Sequence, residues 1–150
     1  MRLRQPGLAV ITACYLGFVG WVTLGPQPLD TSGSGLLREV IRFLNGYDFL
    51  RWVSYDLVEF VANILLFVPV GALFVLLLGR RRWWLASLLG VALSGVIEFA
   101  QLFLRHRVAD PRDIVANSLG AIVGVVLVLA VSAWSTSRAS PTADGSRAVD

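Results

Sequence analysis

Residues 57–78, "LVEFVANILLFVPVGALFVLLL", decide the fold. Only Glu59 and Asn63 interrupt an apolar run long enough to cross a hydrocarbon core of about 30 Å, which takes around 20 mostly apolar residues in a helix. Three more runs of this kind follow the same logic, at 7–24, 83–104 and 114–134. The composition agrees, since the 150 residues are 56% hydrophobic and 15% charged, with a mean hydropathy of +0.71. A water-soluble domain of this size is far less apolar. The expected fold is therefore all-α, an integral membrane bundle of four transmembrane helices occupying residues 1–134.

The run at 7–24 follows Arg2 and Arg4 and has the flanks of a secretory signal. It reads instead as a retained span, because its apolar part exceeds a signal core and it ends in "TLGPQPLD" with no small-x-small pattern. The single cysteine, Cys14, lies inside it, so no intramolecular disulfide can form. With so few soft ligands no metal is expected, and no cofactor either. The net charge of +3 is carried by arginines dispersed between spans, which excludes a nucleic-acid face.

Basic residues set the orientation. "MRLRQ" at the N-terminus and the hairpin "GRRRWW" at 79–84 belong in the cytoplasm by the positive-inside rule, and four spans return the C-terminus to the same side. Only Asp144 and Asp150 of the ten acidic residues then fall inside. The expected location is the plasma membrane, multi-pass, with both termini cytoplasmic. Residues 135–150, "STSRASPTADGSRAVD", are small and polar without apolar periodicity and read as a disordered cytoplasmic tail. In the long first outer loop, Leu36, Leu37, Val40, Ile41, Phe43 and Leu44 fall at helical spacing opposite Arg38, Glu39 and Arg42, predicting an interfacial helix.

This orientation gives each polar residue a depth. Glu98 lies about 9 Å below the outer end of the third span at 1.5 Å per residue, Asn63 at a similar depth in the second, and Asn117 about one turn into the fourth. Each set also shares a face: Ser94, Glu98 and Gln101 at i, i+4, i+7; Glu59 and Asn63 at i, i+4; Asp110, Asp113 and Asn117 at i, i+3, i+7. Lipid satisfies none of these groups, so the three stripes are expected to turn toward one another, with Arg107 and Arg112 as cationic partners for Glu98, Asp110 and Asp113. Ala116, Gly120 and Gly124 form a small-xxx-small face, and Gly90 with Ser94 does the same on the third span. Pro69 removes an amide bond to Leu65 and predicts a bend.

The segments "NILLFVPVGALF" from Asn63, "SGVIEFAQ" from Ser94 and "RVADPRDIVANSLGAIVG" from Arg107 resemble the three signatures of VanZ-like membrane proteins. The first carries Asn63 ahead of L-F-x-P-x-G, the second S-x-x-x-E-x-x-Q, the third R-x-x-D-x-x-D-x-x-x-N-x-x-G. The likeness spans roughly residues 15–128. It implies an integral protein of the cell envelope, related to an accessory factor of teicoplanin resistance, and it carries no defined molecular activity. The first outer loop departs from the family pattern, with "FLNGYDFLRW" where an N-x-x-P-F-like segment is expected.

Asn63, Ser94, Glu98, Gln101, Arg107, Asp110, Arg112, Asp113 and Asn117 are thus the candidate pocket. A single buried polar group is enough to fix helix register, so this set exceeds a structural need. The expected occupant is a membrane lipid or a lipid-linked cell-wall precursor, with arginine meeting phosphate and the acids and amides holding sugar or amine groups. The alternative is a membrane enzyme acting on such a head group, with Glu98 and Asp113 as acid-base residues, although no nucleophile-base pair is visible. For Glu98 the competing structural role is an interhelical bond that cements the bundle, and for Asp110 and Asp113 it is capping of the fourth helix beside Pro111. A solute carrier fits worst, because polar residues near one face leave the inner halves of the second and third spans without a path.

Overall fold

All four apolar runs are helical in the computed structural model, which describes residues 6–25, 54–104 and 110–138, together with 42, 43 and 46. They are α1 (Pro6–Leu24), α2 (Tyr55–Leu78), α3 (Trp83–Gln101) and α4 (Pro111–Arg138), each long and apolar enough to cross a membrane. The four-helix membrane bundle is thus established, and among the described residues there is no strand. The predicted interfacial helix lies outside the described residues, apart from Arg42 and Phe43, which are helical, and a turn at Gly46.

Local chemistry fixes the boundaries. Ser54 caps α2, its hydroxyl accepting from the Leu57 amide at 3.2 Å. Gly79 ends α2 at a φ of 84°, a conformation costly for residues with a Cβ, and its amide donates to the Val75 carbonyl at 2.9 Å. A single 3-10 turn, Arg80–Arg82, then leads directly into α3. α3 stops at Gln101, one turn short of the apolar run, because the Phe103 and Leu104 amides turn back to Ala100 and Gln101. α4 continues past Trp134 to Arg138, with the Ser135 and Thr136 hydroxyls donating to the carbonyls four residues earlier. The same device hides Thr12 and Thr23 within α1.

α2 and α4 run parallel and share the closest interface; α3 packs against both, and α1 lies at the periphery against α2 and α3. Small residues let the backbones of α2 and α4 meet. A Cβ on Gly120 would fall on the Ile64 carbonyl, and one on Gly124 on the Val68 carbonyl and 2.9 Å from the Ala72 nitrogen. Gly71 answers from α2, where a Cβ would strike the Ala121 carbonyl. The small-residue face predicted on α4 is therefore the seam of the bundle. Val19, Phe67, Val70, Ile97 and Ala121 fill its middle, and Val75, Ala86 and Val125 the end near the arginine turn. Leu65, Val96, Phe99 and Val126 point outward from α2, α3 and α4, as a lipid-facing surface requires.

Candidate functional site

The opposite end of the bundle, where α2 and α4 begin and α3 ends, is built from polar residues. α4 starts at Pro111, which lacks the amide that a first helical position would leave unpaired. Asp110 caps it: its carboxylate accepts from the Arg112 amide at 2.9 Å, and its carbonyl accepts from the Asp113 amide at 2.8 Å. Asp113 serves a different end. The Asn63 side-chain amide donates to its Oδ1 at 2.8 Å, a part-buried bond that joins α2 to α4. A carboxylate only accepts, so this bond also fixes which way the Asn63 amide faces.

The α3 residues reach the same level by register. Gly90 packs on Ala121, where a Cβ would stand 2.5 Å from the Ala121 Cβ. Counting four residues at a time along these antiparallel helices brings Ser94 level with Asn117 and Glu98 level with Asp113. Asp113 and Asp110 are the charged neighbours of Glu98, whose carboxylate receives a backbone hydrogen bond from Asp110. Ser94, Glu98, Gln101 and Asn117 are all buried, Glu98 at 7% exposure.

This buried layer is not internally satisfied. Among the described residues, Ser94 Oγ, Glu98 Oε1, Gln101 Oε1, Asn117 Oδ1 and Ser118 Oγ have no hydrogen-bond partner. Leaving a buried polar atom unpaired costs about 1–3 kcal/mol, so these atoms call for partners that the described side chains do not supply. At the same end of the bundle, where α2 and α4 begin, is a cleft of about 100 Å³ lined by Asp56, Glu59, Phe60, Asp110, Arg112 and Asp113. At its rim Arg112 and Asp56 stand 3.8 Å apart, both largely in the open, where an ion pair is worth little.

Seven of the nine predicted pocket residues therefore gather at one end of the bundle: Asn63, Ser94, Glu98, Gln101, Asp110, Asp113 and Asn117. Arg112 reaches the rim, but the ion pair it forms there is with Asp56, an acid the sequence reading left out. Arg107 lies outside the described residues. Two contacts have no counterpart in the sequence reading. Gln101 Nε2 donates to the Thr23 carbonyl at 3.0 Å, fastening α3 to the last turn of α1. The Tyr15 hydroxyl donates to the Leu66 carbonyl at 2.9 Å, one turn before Pro69. In both cases the acceptor is a backbone carbonyl, which carries no residue-type signal. Among the described residues, no three His, Cys, Asp or Glu side chains stand close enough to hold a metal ion.

A family model described as VanZ/LLP1 matches residues 12–132, which takes in α2 and α3, most of α1 and α4, and every residue of this end. No curated protein and no solved structure matches the chain.

Proposed function

The chain belongs to the VanZ/LLP1 family, and from that premise we propose that its polar end is a binding site for the head group of a membrane lipid or a lipid-linked cell-wall precursor. One observation carries the reading: among the described residues, buried polar atoms on α3 and α4 lack partners at the end of the bundle that also holds an acid-lined cleft. A head group inserted from the bilayer surface supplies the missing hydrogen bonds while its acyl chains rest on the apolar flanks of α3 and α4. The site then faces the outer leaflet of the plasma membrane, with both termini cytoplasmic and the Arg80–Arg82 turn inside. Occupying a wall precursor there is the route by which the protein contributes to teicoplanin tolerance.

Acid-base catalysis by Glu98 and Asp113 is the weaker reading, because Asp113 is engaged with Asn63 and no activated nucleophile lies between the two. The test is native mass spectrometry of the full chain after mild delipidation. The wild type is expected to retain a lipid that Glu98→Gln releases, and a wild type that retains none ends the reading. Topology is checked separately in a Cys14-free background with single cysteines at Ser34 and Thr142. An impermeant reagent should label the first and spare the second in intact cells.

A further inference from the structure

Hydrogen-bond polarity at this site selects among head groups. Gln101 gives its amide nitrogen to the Thr23 carbonyl, which can only accept, and this fixes the orientation that leaves its buried Oε1 as an acceptor without a partner. Glu98 Oε1 is an acceptor in its ionised form, and Asn117 Oδ1 is a third. The amide and carboxylate oxygens of the layer are thus acceptors, the Ser94 and Ser118 hydroxyls can accept beside them, and their complement is a group rich in donors. Among the described residues, the cleft at this end is lined by the carboxylates of Asp56, Glu59, Asp110 and Asp113 together with Arg112. Carboxylates gathered around a low-dielectric cleft raise the local concentration of cations. A hard divalent ion would need six or more oxygen ligands closely arranged, and no metal-holding group of acids exists among the described residues.

We infer that the site takes a primary ammonium group, which donates to Glu98 Oε1 and its buried neighbours while an adjoining phosphate meets Arg112. This rests on the head-group reading above and narrows it to an amine-bearing ligand. An ammonium carries three N–H donors and no acceptor, which suits the oxygens of Glu98, Gln101 and Asn117. A quaternary ammonium has the charge without the donors, and a glycerol or sugar head group has hydroxyls without the charge. Those two differences make the inference testable.

The full chain in a maltoside detergent is titrated with dihexanoyl phosphatidylethanolamine, phosphatidylcholine and phosphatidylglycerol in separate arms, and with ethanolamine alone in a fourth, following the apparent Tm. Phosphatidylethanolamine is expected to bind about ten-fold tighter than phosphatidylcholine, and phosphatidylglycerol more weakly still. Ethanolamine matching phosphatidylethanolamine identifies a free amine as the source of the group; a much weaker ethanolamine response identifies the lipid. Glu98→Gln should erase the preference for ethanolamine over choline, whereas Arg138→Gln at the far end of α4 should keep it. Should Glu98→Gln not purify, the lipid series on the wild type decides alone. Equal binding of phosphatidylcholine, or tighter binding of phosphatidylglycerol, overturns the ammonium inference and leaves the head-group reading standing. No response to any of the three lipids overturns both.

Discussion

The two ends of the bundle use the same helices in the same register and reach opposite results. Along the α2–α4 seam, Gly71, Gly120 and Gly124 bring backbone against backbone, and Phe67, Val70 and Val75 are wholly buried around it. Every group there is satisfied by packing or by its own helix. One to two turns back toward the start of α4, Asn117 is buried with an unpartnered Oδ1 among the described residues, level with Ser94, whose Oγ also lacks a partner. A chain able to pack α4 so closely could have filled this end with Ala and Val. The contrast separates residues that hold the helices together from residues held in place for something else.

The seam should be the most sensitive region. Gly124→Leu would drive a side chain into the Val68 carbonyl, which is backbone and cannot swing aside. Overpacking typically costs 1–3 kcal/mol and more where backbones must part, so the variant is expected to be lost from the membrane fraction on a quantitative immunoblot. At the other end, Glu98→Gln should leave thermal stability within about 1 kcal/mol of wild type. It should nevertheless release the retained lipid and remove any teicoplanin tolerance. Equal losses of abundance in these two variants would break the comparison, since Glu98 would then be cement.

Asn63 sharpens it from between, being an interhelical bond at the polar end. A double-mutant cycle of Asn63→Ala with Asp113→Ala is expected to give a coupling of about 0.6 kcal/mol in Tm-derived stability, the usual worth of such bonds in a membrane. A coupling of several kcal/mol would make the pair a main brace of the fold. The smallest effect is assigned to Arg112→Gln, whose exposed pairing with Asp56 should contribute roughly 0–1 kcal/mol and less at high salt.

Much of this was legible in the sequence because membranes restrict the solutions so strongly. Length and hydropathy gave four spans, and the i, i+4 spacing of Ala116, Gly120 and Gly124 gave the face that packs. The i, i+3 and i, i+4 stripes brought Asn63, Glu98 and Asn117 to one end, because equal depth and shared faces follow from helix geometry alone. What the pattern could not supply were partners. Arg112 was matched to Glu98, Asp110 and Asp113 by proximity along the chain, yet Asp56 faces it from the first turn of α2. Capping and bridging divided Asp110 from Asp113, although both sit in the same turn and carry the same group. Tyr15 and Gln101 bond to carbonyls whose position depends on how α1 lies against its neighbours, and no side-chain pattern encodes that.

The central claim is that the buried polar end is a filled site in the membrane. An experimental density map of the full chain in a lipid nanodisc, at a resolution that shows head groups, addresses it directly. The expected result is a lipid between the starts of α2 and α4 and the end of α3, its polar group within hydrogen-bond distance of Glu98 and Asn117. A map in which side chains of the chain itself close over Glu98 and satisfy its oxygens, with lipid only on the apolar flanks, would contradict the account.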